Sequence, residues 1–366
     1  MGLENKNGCE MNNPDNRARL ASFFSNIKSE PVLNWKERTN NHILIVDGTN
    51  LFIRGWCSAS TLNNSGDHMG GVVSSLKSLG AAIKLLSPSR VVCVFDGVGG
   101  SFKRKQLFPG YKEHRAGKIR LNRAYEEMSD PKTEEESRTK QYLRFVSYLQ
   151  AFPVNIMSFD HIEADDLIAY LAIDYFKSSK KVTIFSSDRD FLQLCDSRVN
   201  VYSATKKRIY GVNEIIEEYN IHPNNFVLFR AIDGDKGDSI PGIERAGNKT
   251  IVKHFPWLKE ETLHTIDEVV NHAIDLRNKF IVCENIASNK SVIERNYALM
   301  QLKETALTTI CQLRCNEILE ESKIPKLNKN TFFSMVREDM ISNSFFNHVE
   351  WAEQVFGILD NVIRTE

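Results

Sequence analysis

Residues 42–47, HILIVD, form a nearly unbroken apolar run that ends on an acid. RVVCVFD at 90–96 and KVTIFSSD at 181–188 repeat that pattern, and Val154–Phe159 reads as one more strand. Runs of this length suit strands buried on both faces of a parallel sheet. Helical stripes lie between them: Leu76, Leu79, Ile83 and Leu86 in one, and Leu167, Ile168, Leu171 and Tyr175 in another. Strands alternating with helices predict an α/β fold, with a twisted, mainly parallel central sheet flanked by helices. In such folds ligands gather at the carboxyl ends of the strands, where Asp47, Asp96 and Asp188 stand.

Those three belong to a set of nine carboxylates. The others are Glu163, Asp165 and Asp166 in IEADDL, Asp190 beside Asp188 in SSDRDF, and Asp235 and Asp238 in DGDKGDSIPG. Asp188 and Asp190 share a side if the strand continues through them. Glu163 pairs with Asp166 on a helix face, or with Asp165 if the segment is extended. Taken singly, each acid reads as a helix cap or a turn after a strand. Their joint occurrence at strand ends and helix mouths is what predicts a common site. So many acids repel one another unless cations join them, and all-oxygen donors select hard ions: Mg²⁺ at two sites, with Mn²⁺ able to substitute. No Ser-His-Asp or Cys-His arrangement competes, and His161 reads as structural or solvent-facing.

The chain has 366 residues, 42% of them apolar, and a formal net charge of zero, so a large core is expected and the total charge selects no partner. The charges are segregated. From Phe102 to Tyr125, Lys103, Arg104, Lys105, Lys112, Arg115, Lys118, Arg120 and Arg123 face one acid, Glu113, while Phe102, Phe108 and Tyr111 are interleaved among them. Aromatic residues among cations suit single-strand binding, and Lys112 and Arg115 are the cations expected nearest a reacting phosphate. In DGDKGDSIPGIERAGNKT, Gly242 and Gly247 permit tight turns and close approach to a phosphate. A helix starting near Asn248–Thr250 would aim amides at an anion, assisted by Lys249 and Lys253. Seven scattered cysteines without a C-x-x-C pair read as reduced thiols, and no long apolar run predicts a membrane span.

In this order VDGTN, VFDG, YKEHR, EADD, SSDRDF and GDKGDSIPG resemble the 5′-nuclease superfamily: flap endonucleases, the 5′→3′ exonuclease domain of bacterial DNA polymerase I, and bacteriophage 5′ nucleases including ribonuclease-H-type enzymes. The motifs span roughly residues 42–250. The resemblance implies a basic arch over the site and a helix-three-turn-helix on duplex DNA. It implies that Asp47, Asp96, Glu163, Asp165 and Asp166 serve a first metal, and Asp188, Asp190, Asp235 and Asp238 a second. Lys112 and Arg115 would stand at the base of the arch, and Tyr111 would stack on a terminal base. Lys103, Arg104, Lys105 and Lys118 join the expected nucleic-acid contacts. One departure is that Arg245 and Ala246 stand where the family usually has a further glycine and an apolar residue.

The expected organisation is a flexible extension over 1–41 with a short helix around Arg19–Ile27, a nuclease domain over 42–215 with its arch at about 102–140, a DNA-binding region over 216–300, and a C-terminal helical region over 301–366. The expected activity is that of a Mg²⁺-dependent, structure-specific 5′ nuclease of the cytoplasm of a bacterium or phage-infected cell. It would be monomeric, removing primers and flaps from DNA with a 5′ flap, a nick or an RNA/DNA hybrid. The sequence leaves open whether a single-strand-binding protein or sliding clamp docks on a terminal segment. The alternatives are a PIN-type ribonuclease, which would lack the glycine-rich hairpin and long arch, and a non-catalytic branched-DNA-binding protein, which would lack the acids.

Overall fold

The computed structural model describes residues 41–113, 122, 130–304, 307–321, 325–344 and 347–361. The helix expected around Arg19–Ile27 lies outside them, as do Arg115 and Lys118. The acid-ended runs are strands: β1 is His42–Asp47, β2 Arg90–Val94, β3 Asn155–Met157 and β4 Lys181–Phe185. Two strands the sequence reading did not single out follow, β5 (Val199–Ser203) and β6 (Arg208–Tyr210), joined across a short turn. The sheet order is β3-β2-β1-β4-β5-β6, parallel through β5, with β6 antiparallel at the edge.

Burial on both faces explains the unbroken apolar runs. Ile43, Ile45, Val92, Val94, Val182 and Ile184 enter one core, while Leu44, Val46, Val91, Cys93 and Phe185 enter the other. Each fully buried aliphatic side chain contributes about 1.5–3 kcal/mol, so neither face tolerates a polar register. The first core is closed by helix Ala164–Tyr170, which continues through a π-type turn over Leu171–Tyr175, and by later helices including Pro223–Asp233 and Asn248–His254. The second is closed by helices Gly48–Ser58, Gly70–Leu86 and Pro131–Gln150 and by two C-terminal helices, Lys329–Glu338 and His348–Asn361. Both cores draw residues from either side of positions 215 and 300.

Strand order reverses at β1, whose neighbours β2 and β4 lead away in opposite directions. A crevice at the carboxyl ends of β1 and β4 is the switch point of such a sheet. Pairing in register sets Asp47 beside Val94 and Val46 beside Phe185, so the segments leaving all three strands start level with one another.

Candidate active site

Asp47 ends β1 and caps the helix that follows, its Oδ1 accepting from the Asn50 amide at 2.9 Å. The Ser186 hydroxyl, just past β4, donates to Asp47 Oδ2 at 2.9 Å. Asp96 reaches across from the end of β2 and accepts the Ala164 amide on Oδ1 at 2.9 Å, which fixes the start of the EADD helix. Glu163 takes the N-cap position of that helix, with Asp165 and Asp166 in its first turn. Asp188 accepts the Asp190 amide at 2.9 Å, and Asp190 opens a short 3₁₀ turn. Asp235 and Asp238 stand in the loop after helix Pro223–Asp233, pinned by paired bonds between Asp235 and Ile240, each 2.8 Å.

These acids share one electrostatic environment. Burial pushes Asp47 up to about 7 against the pull of the Asn50 amide, with Asp96 and Asp188 adding repulsion. Asp165 is raised by burial and then by Asp188 and Asp47. Asp188 is raised by burial and by Asp238 and Asp235, and burial brings Asp190 to about 7 despite Arg230. A chain of repulsions thus runs from Asp96 through Asp47, Asp165 and Asp188 to Asp235 and Asp238, and residues from five distant segments meet.

Three cations of the chain are interposed. Arg104 pairs with Glu163 and binds Asp166, Nη2 to Oδ1 at 2.7 Å, while its Nε donates to the Leu299 carbonyl at 2.8 Å. Lys112 pairs with Glu163 through its ammonium, and its backbone amide, at φ +58°, donates to the Asp238 carbonyl at 2.8 Å. Although burial opposes it, Lys112 and Arg104 hold Glu163 below the usual carboxylate range. Arg230, buried in helix Pro223–Asp233, bridges Asp190 and Asp235.

Arg104, expected among the nucleic-acid contacts, has its guanidinium drawn into the acids, paired with Glu163 and Asp166. Tyr111, expected to stack on a base, is only 2% exposed, its hydroxyl 3.4 Å from both Glu163 oxygens. Lys103 and Lys105 are exposed on helix Phe102–Leu107, and Lys249 and Lys253 are exposed one turn apart on helix Asn248–His254. Gly242 lies against the Asp233 carbonyl and Gly247 caps the Asn248 helix, which starts where the sequence places it. The sequence reading missed Arg230, whose one available signal is a lone cation inside the apolar helix NNFVLFRAID.

By donor chemistry the cluster fits hard divalent ions, since it offers carboxylate oxygens with neither thiolate nor imidazole among them. The four raised acids carry a repulsion that a bound cation would remove. Among the described residues no group of three acidic, His or Cys side chains stands as a ready ligand set. In the arrangement seen, Arg104, Lys112 and Arg230 engage oxygens of Glu163, Asp166, Asp190 and Asp235.

A family model for the "5′-3′ exonuclease, N-terminal resolvase-like domain" matches residues 42–220. The 5′-3′ exonuclease of Bacillus subtilis (strain 168) is 30% identical over 224 residues, covering 58% of this chain and 69% of that protein. That of Buchnera aphidicola subsp. Acyrthosiphon pisum is 26% identical over 269 residues, covering 72% of this chain and 87% of that protein. Among solved structures, the bacteriophage T5 D15 flap endonuclease in complex with DNA and metal ions has a TM-score of 0.56 at 21% identity, with 85% of this chain and 99% of that one covered, which establishes a common fold. The acid-ended strands, the sheet they build and 30% identity over more than two-thirds of the Bacillus protein lead to one conclusion: this chain belongs to the 5′-3′ exonuclease family of 5′ nucleases.

Proposed function

We propose that the protein is a Mg²⁺-dependent, structure-specific 5′ nuclease that hydrolyses phosphodiesters near a 5′ end or flap junction, leaving 5′-phosphates and clearing RNA primers and flaps during DNA replication. The observation that carries this reading is the convergence of carboxylates from β1, β2, β4, the EADD helix and the DGDKGD loop on one crevice. Asp47, Asp96, Glu163, Asp165 and Asp166 would hold one ion, and Asp188, Asp190, Asp235 and Asp238 a second. Two divalent ions in such a site supply charge neutralisation for the phosphodiester and acidify water for attack.

The chain's own side chains do the rest. Lys112, whose ammonium pairs with Glu163, and Arg115 would offer positive charge to the reacting phosphate, lowering the cost of bringing an anion to an acid-rich crevice. Lys249 and Lys253 face solvent together and would contact duplex phosphates without reading sequence. Lys103 and Lys105 would attract the single strand.

The test compares a 5′-labelled flap, a nicked duplex and an RNA/DNA hybrid in Mg²⁺ and in EDTA. Metal-dependent cleavage near the 5′ end is expected. Cleavage of single-stranded RNA with indifference to the flap would identify a PIN-type ribonuclease instead, and tight flap binding without hydrolysis in either Mg²⁺ or Mn²⁺ would identify a silent binding protein.

A further inference from the structure

Helix Lys290–Met300 lies beyond the motifs of the sequence, yet its final turns touch separate parts of the crevice. Asn296 on it is fully buried, and its side chain faces the Ala231 carbonyl at 2.9 Å and the Pro241 carbonyl at 2.8 Å. The first belongs to helix Pro223–Asp233 and the second to the glycine-rich loop that follows it. Only the amide nitrogen can satisfy two carbonyls, so the oxygen is turned the other way. There it accepts Arg295, from Nη2 at 2.9 Å and Nε at 3.3 Å. The guanidinium held in this manner lies over the Phe108 ring, 4.3 Å from its centroid. Phe108 ends helix Phe102–Leu107, just before the segment that carries Lys112. One turn after Arg295, the Leu299 carbonyl accepts Arg104 Nε at 2.8 Å, and Leu299 and Met300 pack with Tyr111, Val227 and Ile240. Among the described residues no acid pairs with Arg295, whose pKa burial alone lowers. Its partners are a neutral oxygen and a ring, which orient a planar cation without neutralising it.

We infer that Arg295 is a positioning residue that, with Asn296, braces the chain at Phe108 against the loop at Pro241 and so sets which phosphodiester of a flap is cut. The inference deepens the proposed function and rests on it.

A nuclease that grips duplex at one place and the reacting phosphate at another cuts where the separation of the two grips dictates. In the proposed function those grips are Lys249 and Lys253 on one side and Lys112 on the other. Both are joined to the brace by short, bonded stretches of chain. Toward Lys112, the Tyr111 amide donates to the Phe108 carbonyl at 2.9 Å. Toward Lys249, the Ile243 amide donates to the Ile232 carbonyl at 2.8 Å and the Ala246 amide to the Ile243 carbonyl at 3.1 Å, just before the Asn248 helix. The stack of Arg295 on Phe108 is where the two stretches are clamped to each other through one helix.

Leucine at either position keeps apolar bulk and removes the stack. The full chain would be given a 5′-labelled flap in Mg²⁺, and product lengths resolved for wild type, Arg295→Leu, Phe108→Leu and the double variant. Circular dichroism and melting report the fold. Wild type is expected to cut mainly at one phosphodiester. In R295L and in F108L the share cut at neighbouring positions should rise about threefold or more, the scale of one partly desolvated cation–π contact. The double variant should shift no further than either single one, because both remove the same contact. If R295L fails to fold, F108L decides. Slower cleavage with the wild-type product distribution in both variants would overturn the inference, since the helix would then only support the fold. Weaker flap binding in R295L with an unmoved distribution would also overturn it, making the arginine a phosphate contact. So would a wild type that cuts evenly over several positions. A wild type that cuts no flap at all would remove the nuclease reading itself, a result distinct from intact cleavage with an unmoved distribution.

Discussion

His42 enters β1 with Nδ1 3.1 Å from the Leu86 carbonyl and Nε2 2.9 Å from the Thr183 hydroxyl. Burial, with Lys181 adding repulsion, brings its pKa down to about 4. An imidazole in the unfolded chain takes up its proton near pH 6.5, so between about 6.5 and 4 the unfolded state binds more protons than the native one. This residue's contribution is therefore present at neutral pH and lost as pH falls through that window, by up to roughly 3 kcal/mol. Urea unfolding of wild type and His42→Gln at pH 7, 5.5 and 4.5 should show a shallower acid-side decline in the variant; parallel profiles would reject the assignment. Asp188→Asn acts at the same scale with the opposite balance of effects. Removing a carboxylate that repels Asp165 should raise the melting temperature in EDTA. Turnover on a 5′ flap should nearly vanish while flap affinity changes little, and unchanged turnover would remove Asp188 from the site. These acids were legible in the sequence because each follows an apolar run or opens a helix. Arg104 and Arg230 were not legible as their partners, because sequence spacing fixes neighbours along one element, whereas these pairs join residues 59 and 40 positions apart.

Elements explain which glycines matter. A Cβ on Gly242 would sit 2.0 Å from the Asp233 carbonyl oxygen, a backbone atom that cannot step aside alone. Gly242→Ala should therefore separate the loop from helix Pro223–Asp233, at a cost of about 1–3 kcal/mol, and weaken duplex binding several-fold. Gly247 has open space around its Cβ position and an ordinary negative φ, so Gly247→Ala should change stability by less than about 0.5 kcal/mol. Denaturation midpoints and duplex titrations of the two variants check the contrast, and equal effects would contradict it. Sequence reading treated the two glycines alike because a glycine's neighbours in space are invisible along the chain. The same limit hid β5 and β6. They are short, and their connection over Lys206 and Lys207 carries charge rather than an apolar run, so they gain strand character from pairing, β5 with β4 and β6 with β5.

At the scale of the molecule, the C-terminal helices belong to the nuclease core. Phe356 stacks on Phe152 with ring centroids 3.9 Å apart and planes within 16°, and Trp351 and Phe332 close around the same ring. This joins helix His348–Asn361 to the end of helix Pro131–Gln150, beneath the sheet that carries the acids. Phe356→Ala should cost about 3–5 kcal/mol and lower the single melting transition of the whole protein. Loss of a separate, minor transition with the main one unmoved would show that the C-terminal helices fold apart. The sequence motifs say nothing here, because they end near residue 250 while the packing runs on to Leu359.

Lys112 fastens two things at once: its ammonium holds Glu163, and its amide, on a left-handed backbone, holds the carbonyl of Asp238. One residue thus serves as a common hinge pin for two parts of the chain that never touch in sequence. Moving that residue's backbone would therefore strain the bond to the Asp238 loop and the pairing with the EADD helix together.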